Sequence, residues 1–132
     1  MVNLWQALVL LAAAGPVPAG GARAGQTGQA GKTVIDPGRG REIFRVCAAC
    51  HNDGPEPLGP ALAGVIGRKA GTVEGFRYSN AMKRVGLAWT RENLRQFLQD
   101  PQGMVKGTRM PFSGLAVERD IDDVIAFLVE QR

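Results

Sequence analysis

At 132 residues the chain is long enough for one domain. Its formal charge of +4 is mild and its basic residues are scattered, which argues against nucleic acid and for an anionic protein partner or membrane surface. Two Cys and one His are too few for a tetrahedral zinc site built on them.

The amino end reads as a targeting segment. Leu4 to Ala14 is apolar apart from Gln6, of signal-peptide length and too short to span a bilayer comfortably. Ala22-Arg23-Ala24 fits an Ala-x-Ala cleavage pattern, and Ala19 offers a second site. No Lys or Arg precedes the apolar run, so an uncleaved membrane tether is the alternative. Either form exports the domain, and the expected location is the periplasm. We therefore expect a signal peptide at 1–24, a flexible linker at 25–35 rich in Gly, Gln, Thr and Ala, and a folded domain at 36–132.

Asp36-Pro37 predicts a helix start, with Asp36 as N-cap and Pro37 at the first helical position. Ile43, Phe44, Val46, Cys47 and Cys50 are its apolar positions. Gly38 and Gly40 are poor helix formers. They mark either a frayed start or the close approach of another helix. The helix leads into Cys47-Ala48-Ala49-Cys50-His51, the pattern of a covalent c-type haem attachment site. Residues three apart on a helix share a face, so both thiols can add to vinyl groups on one porphyrin edge. His51 follows at once and can reach the iron from that side. A dithiol redox pair would sit near a βαβ pattern, and no strand run lies beside this one. Neighbours three apart on a helix also make a poor disulfide. Export suits the haem reading, because attachment needs reduced thiols outside the cytoplasm.

Asn52 to Gly59 carries Gly54, Pro55 and Pro57 and predicts a loop. From Leu58 to Gly75 nothing is periodic, so an irregular wrap around the haem edge is expected. Ser79 can cap a short helix over Asn80 to Val85, ended at Gly86. Thr90 caps a helix with a Leu94, Phe97, Leu98 stripe that stops at Asp100-Pro101. Gln102 to Gly114 is expected to be a loop. The last helix, roughly Glu118 to Gln131, carries Ile121, Val124, Ile125 and Leu128 at i, i+3, i+4, i+7, with acidic residues near its amino end. The fold class expected is all-α with long loops. So small a core needs the apolar bulk that a haem supplies.

His51 is the only His, so a sixth protein ligand to the iron must be a Met, Lys or Tyr. A loop Met is more often core filler. Beside an attachment motif, Met110, in a loop with Gly107, Thr108 and Pro111, becomes the candidate, with Met104 as the fallback.

From about Gly40 to Leu128 the chain resembles the class I cytochromes c, close to the mitochondrial and soluble alphaproteobacterial type. The matching segments are Gly59-Pro60-x-Leu62, Gly67-Arg68-Lys69-Ala70-Gly71, Phe76-x-Tyr78-Ser79-x-Ala81-Met82-Lys83, Trp89-Thr90, Asp100-Pro101 and Gly107-Thr108-Arg109-Met110-x-Phe112, in the family's order. The resemblance implies a small single-domain fold in which the terminal helices cross and Gly40 and Phe44 meet Val124 and Phe127. It implies one covalent haem c on Cys47 and Cys50, with His51 and Met110 as iron ligands. It implies that the Pro60 carbonyl orients His51. Arg68, Tyr78 and Trp89 would hold the propionates, Thr108 would bond a propionate or a water beside one, and Phe112 would cover the haem face near its exposed edge. Four departures matter, one being a loop from His51 to Pro60 shorter than the mitochondrial one. Phe97 stands where the mitochondrial family usually has a Tyr, Met82 where Asn is frequent, and Gln102 and Gly103 replace two basic residues of the mitochondrial docking ring.

The function implied is single-electron transport in a respiratory or photosynthetic chain, with no enzymatic activity. The partners expected are redox proteins: an oxidase, a reaction centre, a quinol-oxidising complex or a dehydrogenase. The carrier is expected to be a monomer, touching a membrane only through partners or an uncleaved leader. The alternatives are a haem c subunit fixed to a periplasmic dehydrogenase, and a peroxidase or gas sensor with an open iron.

Overall fold

Helix α1 (Pro37–Ala48) begins where a cap and a proline coincide. The Asp36 carboxylate accepts from the Arg39 amide at 3.1 Å, and Pro37 occupies a position whose N–H would be unsatisfied anyway. The computed structural model describes residues 34–132 together with Gly15. The expected leader at 1–24, apart from Gly15, and the linker as far as residue 33 lie outside the described residues. Helix α2 (Asn80–Arg84) is capped by the Ser79 hydroxyl, which accepts from the Met82 amide at 3.1 Å. Thr90 does the same for α3 (Arg91–Gln99), accepting from Asn93 at 3.1 Å. Helix α4 (Pro101–Met104) follows directly, and α5 (Glu118–Glu130) closes the chain.

The expectation that residues 102–114 form only a loop needs correction. Asp100 ends α3 and at once caps α4, accepting from the Gly103 amide at 2.9 Å, with Pro101 opening the new turn. This is the Asp-Pro signal that starts α1, used a second time.

Helix α5 is the centre of the core. Ile121, Val124, Ile125 and Leu128 are each no more than 4 % exposed. Burial on this scale contributes roughly 1.5–3 kcal/mol per side chain. Leu94, Phe97 and Leu98 of α3 join the same core, and α3 packs against α5. The α1–α5 crossing is the most extensive contact between elements. It is close because Gly40 has no side chain: a Cβ there would lie 1.9 Å from the Asp123 carbonyl oxygen and 3.0 Å from the Val124 nitrogen. Gly40 is therefore a contact residue of the helix crossing. Phe44 packs on Phe127 with ring centroids 5.1 Å apart.

Polar groups pin the same crossing. The Asp123 carboxylate is fully buried and accepts from the Asp36 amide at 2.7 Å and from the Arg39 guanidinium at 2.6 Å. Arg39 also pairs with Asp120. Burial pushes the Asp123 carboxyl up, but the Asp36 amide and the Arg39 charge outweigh it and hold it below the ordinary carboxylate range. The two carboxylates in turn raise the already high Arg39 value.

Residues 58–75 are irregular, as expected. They are fastened to the segment before α3 by one isolated antiparallel bridge, Lys69 with Ala88. Around it Gly67 donates to the Trp89 carbonyl at 2.9 Å, and Trp89 returns a bond to Arg68 at 2.8 Å. Val65 and Ala70 anchor the wrap in the core at 2 % and 3 % exposure.

Candidate functional site

The end of α1 carries the chemistry. The amides of Cys50 and His51 both donate to the Cys47 carbonyl, at 3.1 and 2.9 Å. The helical winding thus continues through the motif and presents Cys47, Cys50 and His51 within one turn. Both thiols are free and half-buried. Burial pushes the Cys47 thiol above its ordinary value.

His51 is oriented by the loop that follows. Its Nδ1 lies 2.7 Å from the Pro60 carbonyl oxygen. A carbonyl only accepts, so Nδ1 carries the hydrogen and Nε2 keeps its lone pair. The loop is tied back by the Gly59 amide, which donates to the Cys50 carbonyl at 2.9 Å. Gly59 is buried, and a Cβ on it would come within 2.6 Å of the imidazole Cε1 and Nδ1. No residue with a side chain fits there while the ring keeps its place. Asn52 completes the turn, donating to the Ala49 carbonyl at 3.2 Å and accepting from Gly54 at 2.9 Å.

The segments expected to face the haem from other sides lie on the wrap and on the loop after α4. The Tyr78 hydroxyl accepts from the Val73 amide at 3.2 Å, leaving its own hydrogen free to donate, and Phe76 packs on its ring at 4.8 Å. Trp89 is buried against Phe97, centroids 4.9 Å apart. The Arg68 guanidinium donates to the carbonyls of Ala61 and Ala63, at 2.6 and 3.0 Å, and so orders the loop that follows Pro60. Two of its five donors are used there. Thr108 accepts from the Met110 amide at 3.3 Å. Met110 is half-buried and packs against the core. Gly107, at φ +90°, lies against Ala81, so the Met110 loop and the Tyr78–Ala81 segment are neighbours. Lys106, Arg109 and Arg84 border one open cavity beside Tyr78, and Arg109 donates to the Arg77 carbonyl.

Sequence reasoning missed two residues here. In the sequence Gly59 is only part of a matching segment; in the fold it is the surface on which the imidazole lies. In the sequence Gln102 is only a missing docking charge; in the fold its side-chain amide donates to the Met110 carbonyl at 2.7 Å. A pattern of spacing carries no signal for a bond between residues eight apart in a loop.

The donor set fits a covalent haem. Two free thiols and one imidazole nitrogen with an unshared lone pair sit on a single turn, and half-buried apolar side chains surround the core nearby. An all-α domain with such a turn is the class of small haem-binding electron-transfer proteins. The comparisons agree. The Cytochrome c family model matches residues 38–132. Cytochrome c2 of Rhodoblastus acidophilus is 46% identical over 96 residues, covering 70% of this chain and 90% of that one. Cytochrome c2 of Blastochloris viridis is 41% identical over 96 residues, covering 70% and 76%. The solved structure of cytochrome cH from Methylobacterium extorquens superposes with a TM-score of 0.68 at 42% identity, covering 71% of this chain and 97% of that one. The chain belongs to the cytochrome c family: it is a small electron-carrier cytochrome with a covalently bound haem c.

Proposed function

We propose that the protein carries single electrons between redox complexes with its haem iron held by His51 and Met110. The haem supplies a one-electron ferric–ferrous couple, and the protein's part is to hold the group, fill its axial positions and shield it. Cys47 and Cys50 form the thioether links. The observation that carries the reading is the His51–Pro60 bond, which fixes the tautomer and leaves Nε2 for the metal. On the other side, Pro111 restricts Met110 to extended backbone, and Thr108 holds its amide. The soft thioether favours ferrous iron and raises the potential. Tyr78, Trp89, Thr108 and the remaining Arg68 donors serve the propionates, which need hydrogen-bonding partners when partly buried. An iron held by both His51 and Met110 would suit electron transfer and not oxygen or peroxide chemistry. The electron partners are an oxidase, a reaction centre, a quinol-oxidising complex or a dehydrogenase outside the cytoplasm. No helix among the described residues is long and apolar enough to cross a membrane.

The test is a visible spectrum of the native protein and of Met110→Ala. The native protein is expected to show a thioether–iron charge-transfer band in the red. Met110→Ala should lose it, fall in potential and bind carbon monoxide when reduced. A variant that keeps the native spectrum and potential ends the assignment and turns attention to Met104.

A further inference from the structure

Helix α4 is one turn long, yet it is firmly seated. Pro101 is fully buried and Val105 is 2 % exposed. The amides of Met104 and Val105 donate to the carbonyls of Asp100 and Pro101, both at 3.0 Å. Asp100 folds over the turn, so close that a Cβ on Gly103 would meet its carboxylate at 2.0 Å. Gln102 stands on this platform, exposed to solvent. Its Nε2 reaches across the loop to the Met110 carbonyl at 2.7 Å. The Met110 amide is held from the other side by Thr108, whose own amide donates to Val105 at 3.0 Å. Both backbone polar groups of Met110 are thus tied to the α4 end of the loop. Of these ties, only the Gln102 bond spans the whole loop.

We propose that Gln102 is a positioning residue for the Met110 ligand: its side-chain amide latches the ligand loop to α4 and so sets how readily the Met110 sulfur leaves the iron. The proposal rests on the reading of Met110 as the axial ligand. An exposed amide bond adds little to global stability, but it acts on one local equilibrium. When the latch is absent, the loop opens more often, and an external ligand that needs the open form binds more tightly in proportion.

The experiment titrates the ferric holoprotein with imidazole and follows the red charge-transfer band. The variants are Gln102→Leu, which lacks the donor, and Gln102→Glu, which keeps the length but presents acceptors to a carbonyl. Both should retain the band before imidazole is added. Both should bind imidazole about fivefold more tightly, the factor expected from losing one neutral hydrogen bond. Guanidinium unfolding of the same proteins separates this from general loosening, and its midpoint should scarcely move. Unchanged imidazole affinity in both variants overturns the latch. An affinity gain matched by an equal loss of global stability also overturns it, because the role is then merely structural. Met110→Ala run alongside keeps the two readings apart. If that variant retains the band, the ligand assignment fails, and the latch fails with it. If it loses the band while the Gln102 variants bind imidazole as the native protein does, the latch alone fails.

Discussion

The imidazole of His51 lies between a carbonyl that accepts its N–H bond and a glycine that gives it room. Gly59→Ala would place a methyl within 2.6 Å of the ring. Either the ring tilts away from Pro60 or the loop lifts. Overpacking of this kind costs typically about 1–3 kcal/mol. We expect Gly59→Ala to lower the unfolding midpoint in guanidinium by that measure and to shift the haem absorption. A variant of native stability with an unaltered spectrum would show that the loop yields freely. Gly54, also in this loop, meets only the flexible Asn52 side chain and should tolerate more.

The α1–α5 crossing depends on one missing side chain and one buried charge. Gly40→Ala forces a methyl into the Asp123 backbone, which cannot move without moving α5. The expected loss is about 1–3 kcal/mol, or roughly 4–8 °C in the melting temperature for each kcal/mol in a domain of this size. Calorimetry of the holoprotein measures it, and Gly38→Ala, whose Cβ would meet only the Asp36 carboxylate at 3.1 Å, is the control. Asp123 adds a pH dependence. Its carboxyl is held below the ordinary range in the folded protein. The stability it contributes is therefore fully present above the unfolded carboxylate value of about 4 and is lost as pH falls through the lower folded value. Denaturation midpoints measured downward from pH 5 should decline, and Asp123→Asn should flatten that decline. An equally steep decline in Asp123→Asn would place the acid sensitivity elsewhere.

At the scale of the molecule, the mild excess of positive charge meets a specific surface. Lys106, Arg109 and Arg84 border one open cavity next to the segment that holds Met110. If anionic redox proteins dock there, association should slow as salt screens the charges. Arg109→Glu should slow it further at low salt and matter little at high salt. Electron-transfer rates indifferent to both changes would remove this surface from consideration. The amino-terminal expectation is tested by mass. Native protein weighing residues 25–132 plus haem establishes cleavage after Ala24, and a mass that retains Met1 to Ala24 establishes the tether.

The attachment motif, the side-chain caps at Asp36, Ser79 and Thr90, and the apolar stripes of α3 and α5 were all present in the sequence. These are local signals: a cap, a proline or a three-four spacing acts within one or two turns, so the residues that cause it are neighbours in the chain. Even so, α4 is hard to see in the sequence, because a one-turn helix has no periodicity to read and only its Asp-Pro start announces it. The resemblance to the cytochromes c supplied the His51–Pro60 bond and the Gly40 and Phe44 contacts in advance. What tertiary structure alone decided lies between segments far apart. Gly40 became a contact glycine because the Asp123 carbonyl occupies the place of its Cβ. Asp123, one of several acids at the start of α5, became a buried anchor because Asp36 and Arg39 meet it from the other end of the chain. Arg68 was turned to loop carbonyls and Gln102 to the Met110 backbone by the path of the irregular chain. Such bonds depend on where two loops happen to run, and no spacing along a sequence encodes that.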